Sequence, residues 1–157
     1  MVRAFQLIVI ALCLGPAAAV SSATISGQPS VVDGDTLEID GQMIRLHAID
    51  APEMRQYCVT MGGKRWQCGI EAAEALYQRS RRRIVQCEPM GQDRNRRVIA
   101  RCHLDGIDLG GWMVRQGWAL AYRRYGQDYV ADEAEAEREH RGVWAGRFDY
   151  PWDWRRR

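Results

Sequence analysis

The chain has 157 residues, 46% hydrophobic and 27% charged, with a formal net charge of +2. That near-balance excludes a protein that is basic overall, and no internal repeat or low-complexity stretch is visible. Beyond residue 23 no apolar run is long enough to span a bilayer.

Residues 1–23 read as a removable signal peptide. Arg3 supplies a positive start, and FQLIVIALCLG is an apolar core too short for a membrane span. Two small-residue cleavage sites follow, ending at Ala19 and at Ala23. Removal lowers the net charge to +1 and leaves about 135 residues, enough for one domain that buries about two-thirds of its chain surface. The mature protein is expected to be secreted or periplasmic, with no membrane association. An oxidising compartment then makes disulfides the natural reading of Cys58, Cys68, Cys87 and Cys102. Three pairings are possible, and Cys58–Cys68 with Cys87–Cys102 is favoured. The first would staple a long loop; the second would join RRIVQC and VIARC, two runs able to pair as neighbouring strands. The competing reading is a zinc site helped by His103, but the short Cys-x-x-Cys spacing of structural zinc is missing.

Residues 25–32, 35–39 and 42–49 read as a three-stranded meander. Asp40-Gly41, flanked by alternating apolar and polar residues, marks a tight hairpin within it. The hairpin folds Asp35, at the start of one strand, back beside Asp50, at the end of the next. Two carboxylates thereby meet at one end of a small sheet, the gathering of oxygen ligands that Ca²⁺ requires. Arg45 lies on the second of these strands, and Glu53 follows Pro52 in the loop beyond. Metal, arginine and a spare carboxylate together suit phosphodiester hydrolysis.

After a loop over residues 54–67, apolar positions at Ile70, Ala73, Leu76, Tyr77 and Ser80 predict a helix over 68–82 with one buried stripe. Residues 83–87 and 97–104 read as strands four and five. Asp108 is placed to cap a short helix through Gln116, ended by Gly117, and Asp128 another through Arg141, ended by Gly142. Five strands with a helix after the third point to an α+β chain, a five-stranded OB-fold β-barrel with about three α-helices. Arginines cluster at Arg79 to Arg83, Arg94 to Arg97, Arg123-Arg124 and the chain end. The first cluster reads as solvated surface, and all suit a polyanionic partner.

The stretch from Val31 to Glu53 resembles the staphylococcal nuclease-like (thermonuclease) family, whose pattern is D-G-D-T, then R-L, then I-D-A-P-E. Here these are Asp33 to Thr36, Arg45-Leu46 and Ile49 to Glu53. DRNRRVIA, from Asp93, matches the family's D-R-Y-G-R-x-x-A and puts Arg97 at its functional arginine. The resemblance runs from Val31 to Trp144 and implies an OB-fold domain over 24–146, followed by a Trp/Arg-rich tail over 147–157.

It also implies roles. Asp35, Asp50 and the backbone carbonyl of Ala51 would hold Ca²⁺, with water filling the shell. Glu53 would be the general base for the attacking water. Arg45 and Arg97 would grip the phosphate with their planar forks and stabilise the charge that accumulates as water attacks. Asp33 is left to turn structure or to orienting the ligands. Arg94 and Tyr122 are the candidate substrate contacts, Tyr122 because bases stack on aromatic rings. The chain departs from the pattern at Asn95-Arg96, where the family has Tyr-Gly. Trp112, Trp118 and Trp144 read as core, His47 as structural, and PWDW as a tail packed on the barrel.

The leading expectation is an exported, monomeric, Ca²⁺-dependent endonuclease that cuts DNA and RNA with little sequence preference, since metal and arginines read the shared backbone. By resemblance it would cleave the bond to the 5′ oxygen and leave a 3′-phosphate. The alternative is a non-catalytic nuclease-like module that holds nucleic acid or another polyanion. Retention of Asp35, Arg45, Asp50, Glu53 and Arg97 argues for the enzyme. For a role in envelope polysaccharide metabolism no residue argues.

Overall fold

The structure, a computed structural model, describes residues 23–157; apart from Ala23, the expected signal peptide lies outside the described residues. The first expected strand is broken at Gln28-Pro29 into β1 (Ile25–Gly27) and β2 (Ser30–Asp33). Proline has no N–H for a ladder, so the run divides there. β3 (Thr36–Ile39) and β4 (Gln42–Leu46) form the hairpin read from Asp40-Gly41, whose residues both take positive φ, 51° and 78°. Ala48, also left-handed at φ 52°, detaches β5 (Ile49–Asp50) from β4.

The segment expected as loop over 54–67 contains a small hairpin of β6 (Cys58–Thr60) and β7 (Arg65–Trp66). α1 (Cys68–Ser80) follows, two residues shorter than expected. Its buried face is Cys68, Gly69, Ala72, Leu76 and Ser80, whereas Ile70 and Tyr77 are exposed. The stripe is rotated because the helix start packs on the loop holding Glu53: a Cβ at Gly69 would lie 1.8 Å from the Glu53 carbonyl oxygen. β8 (Val85–Gln92) and β9 (Val98–Leu104) make a long hairpin, and β10 (Ile107–Asp108) leads into α2 (Leu109–Arg115). Asp108 caps α2 as expected, accepting the N–H groups of Gly110 and Gly111 at 2.9 and 3.3 Å.

β11 (Leu120–Ala121) precedes α3 (Val130–Arg138). Asp128 does not cap α3, correcting that expectation; its carboxylate is engaged by Arg101 and lies 3.4 Å from His47 Nε2. A 3-10 turn (Gly142–Ala145), β12 (Gly146–Arg147) and α4 (Pro151–Trp154) complete the chain, with β12 pairing on β6.

The main sheet runs in the order β1-β8-β9-β4-β3-β2, antiparallel except for the parallel pair β4–β9. Its two outer strands, β1 and β2, are consecutive in sequence and separated only by Gln28-Pro29. The sheet therefore curls back onto its own beginning, as in an OB-fold. Leu37, Ile44, Leu46, Val85, Ala100 and Leu104 fill its interior, against Ala72 and Leu76 of α1 and Leu109 and Met113 of α2. The three tryptophans read as core are only half-buried. Trp112 and Trp118 pack on this core, and Trp144 joins Trp66 and Phe148 around a smaller cluster of Cys58, Cys68 and Val143.

Both disulfides are present, Cys58–Cys68 and Cys87–Cys102. The second spans directly opposed residues of β8 and β9. All four thiols are consumed, so zinc ligation by these cysteines is ruled out. A cross-link of the length of the Cys87–Cys102 loop contributes about 3 kcal/mol in the chain-entropy account. Replacing both cysteines by alanine is expected to lower unfolding free energy by about that amount, read from the denaturant midpoint under non-reducing conditions.

Candidate active site

The β2–β3 turn begins with Asp33, whose Oδ1 accepts the Asp35 N–H at 3.0 Å. Gly34 between them is a packing requirement: a Cβ there would stand 2.7 Å from Ala51 Cβ and 3.0 Å from Ala72 Cβ. Thr36 and Arg45 are opposite partners on β3 and β4. β5 supplies Asp50 and is fixed by pairing with β11, where Leu120 opposes Asp50. That pairing also delivers Tyr122, whose N–H donates to the Ala48 carbonyl at 2.8 Å.

One continuous run of hydrogen bonds links the charged groups. Arg97 Nη1 donates to Thr36 Oγ1 at 3.2 Å, and that hydroxyl donates to Asp35 Oδ1 at 3.0 Å. Arg45 donates to Asp35 Oδ1 and to Asp50 Oδ1, each at 2.8 Å. The Ala51 N–H satisfies Asp35 Oδ2 at 3.0 Å. Beyond Asp50 the run continues through Arg155, which donates to Asp50 Oδ1 and Oδ2 at 3.0 and 2.6 Å and to Glu53 Oε1 at 2.5 Å.

Above this network opens a cavity of about 410 Å³. Its walls bring together Asp35, Arg45, Ala51, Glu53, Arg94, Arg97 and Tyr122, the residues singled out in the sequence. Asp50 lies beneath, its side chain fully covered. Burial pushes the Asp35 carboxyl up, to about 7; Arg45 opposes this, while Asp33 and Asp50 add to it. Hydrogen bonding to Asp50, against the effect of burial, raises Arg155 above the usual arginine value.

Arg97 is held from behind. Its Nε donates to Asp93 Oδ2 at 2.8 Å, and Asp93 Oδ1 accepts the N–H groups of Asn95 and Arg97 at 2.8 and 3.0 Å. Arg96, where the resembled pattern has glycine, keeps the left-handed turn with φ 64°. An L-residue adopts that backbone at a cost of about 1–2 kcal/mol.

Three residues of the site receive no role of their own from the sequence, although Thr36 closes the D-G-D-T run. Thr36 relays Arg97 to Asp35. Gln56, fully buried, accepts the Glu53 N–H at 3.1 Å and donates to the Asp149 carbonyl at 2.7 Å, tying the Glu53 loop to the tail. Arg155 follows PWDW, read as packing, in a chain-end arginine cluster read only as suiting a polyanion; Trp152 does pack, 5.5 Å from the Tyr122 ring, and Arg155 enters the site.

Among the described residues no three or more His, Cys, Asp or Glu side chains are grouped to hold a metal ion. Asp35, Asp50 and the Ala51 carbonyl nevertheless offer only oxygen donors, the chemistry a hard divalent cation takes, with water completing the shell. By donor type the residues fit.

An OB-type sheet carrying two buried carboxylates, two arginine forks and a glutamate paired with Arg155 beside one cavity gathers the groups that phosphodiester hydrolysis uses. The chain belongs to the staphylococcal nuclease homologues, whose family description matches residues 43–146. It is similar to the succinoglycan biosynthesis protein ExoI of Rhizobium meliloti, 37% identical over 123 residues, covering 76% of this chain and 64% of that one. It is also similar to an uncharacterized endonuclease of Escherichia coli, 31% identical with 81% and 82% covered, and to the micrococcal nuclease of Shigella flexneri, 31% identical with 80% and 77% covered.

The Asp93 turn yields a pH prediction. Its partial burial acts the other way, but the hydrogen bonds from Arg97 hold Asp93 below its ordinary value. A lowered native pKa gives stability that is present above about pH 4, the unfolded value, and is lost as pH falls through the native one. Asp93→Asn is therefore expected to shrink the loss of denaturant stability between pH 5 and pH 3; an unchanged acid limb would contradict this.

Proposed function

We propose that this chain is an exported, Ca²⁺-dependent endonuclease that hydrolyses DNA and RNA phosphodiester bonds with little sequence preference. The observation that carries the reading is the hydrogen-bonded run from Arg97 to Glu53 under one cavity. Asp35, Asp50 and the Ala51 carbonyl hold the cation, which when bound polarises a phosphate oxygen and acidifies water. Arg45 and Arg97 present N–H groups to the non-bridging oxygens, where charge grows as water attacks phosphorus. Asp93 fixes the Nε edge of Arg97 and Thr36 takes Nη1, leaving Nη2 to meet phosphate. Glu53 accepts the proton of the attacking water. Arg94, exposed on the wall, meets the flanking backbone, and Tyr122 offers its ring to a base.

Export is supported by the two disulfides, which persist in oxidising compartments. Among the described residues no helix is long and apolar enough to cross a membrane. Substrate choice follows from the chemistry of the walls, which present charge to a backbone and not a donor pattern to base edges.

Mature protein is expected to degrade plasmid and single-stranded DNA with Ca²⁺ and to stop when a chelator is added. Activity that survives chelation would overturn the metal assignment. Glu53→Gln is expected to lower turnover by about 10²–10⁴-fold, the usual contribution of a positioned base, with the circular dichroism spectrum retained. A near wild-type rate would remove Glu53 from that role.

A further inference from the structure

The last ten residues form a strap across the site. The buried Gln56 side chain holds the Asp149 carbonyl at 2.7 Å, Pro151 is buried, and the Trp152 ring lies between Tyr150 at 4.9 Å and Tyr122 at 5.5 Å. α4 then turns the chain so that three arginines follow one another. Two are taken up within the strap: Arg157 pairs with Asp149 at 2.7 Å, and Arg156 with Asp153. Only Arg155 is directed inward. Its guanidinium takes both oxygens of Asp50 and one of Glu53, and Asp50 is left with no side-chain surface open to solvent.

A cation approaching Asp50 from the cavity therefore meets a cation already there. A divalent ion and a guanidinium within about 4 Å repel by several kcal/mol near a protein surface, so the two cannot share one carboxylate face without displacement. We propose that Arg155 is a further residue of the active site, an internal cation that competes with the divalent metal for Asp50 while it pairs with Glu53. The strap thereby sets how much metal the site needs. The same guanidinium occupies Oε1 of Glu53, so a metal that displaces Arg155 from Asp50 also frees that oxygen. Loading of the metal ligands and release of the base become one event. The inference rests on Asp50 being a ligand of the cation, as argued above.

Calcium titration calorimetry on the purified, oxidised protein tests it without reference to turnover. A hydrogen bond to a charged group is worth about 1.5–3 kcal/mol, so Arg155→Gln is expected to tighten Ca²⁺ binding about tenfold or more. Arg156→Gln, whose partner lies within the strap, is expected to bind as wild type does. Arg155→Lys, which keeps the charge and loses the fork, should fall between the two and serves if the glutamine variant does not fold. Unchanged or weaker Ca²⁺ binding in Arg155→Gln overturns the competition. Asp50→Asn separates the two readings. If it abolishes the binding seen in wild type while Arg155→Gln changes nothing, only the competition fails. If neither wild type nor Arg155→Gln binds Ca²⁺, the calcium reading fails and takes the competition with it.

Discussion

Arg45 is the hinge of the molecule's chemistry. One guanidinium stands between two carboxylates, Asp35 and Asp50, that are almost or wholly removed from water. Left to themselves, two such anions in a low-dielectric setting would repel and one would take up a proton. With Arg45 between them they remain a matched set, and the raised Asp35 value shows how near that balance runs. Buried charge arrays of this kind rarely add to stability, because desolvation offsets the attraction. The fold therefore supports the array from elsewhere, through the apolar interior of the curled sheet, the two disulfides and the tight contacts at Gly34 and Gly69.

Much of this arrangement was legible in the residues. Asp40-Gly41 between alternating runs defines the hairpin, which brings Asp35 beside Arg45; Asp50 joins them from β5, detached at Ala48 and held by β11. Cys87–Cys102 followed from two runs able to lie side by side, Cys58–Cys68 from the long loop it would staple, and Asp108 from its place before an apolar segment. What was not legible depends on contacts across the fold. Helical spacing gave α1 correctly, yet its buried face was set by the Glu53 loop and Cys58, which the pattern of α1 does not encode. Asp128 has a capping residue's chemistry, but Arg101 and His47 claim its carboxylate first.

Arg155 and Gln56 mark the limit most clearly. A chain-terminal run of arginines carries no periodicity, and nothing in RRR tells which one turns inward. The distinction comes from Asp149 and Asp153, which draw Arg157 and Arg156 away. Gln56, a polar residue in a loop, would ordinarily be solvated. It is buried because it bridges two backbone segments, the Glu53 turn and the strap, that meet only in the finished fold.

The parallel register of β4 and β9 sets Arg45 beside Ile99, two residues beyond Arg97. That pairing joins segments more than fifty positions apart, and a slip of a single residue would turn every side chain of the strand to the opposite face. The guanidinium groups of Arg45 and Arg97 are thus brought together by the same step that seals the sheet. With that seam unzipped the same charges stand scattered along the chain, so the cavity and its lining take shape only when the sheet is complete.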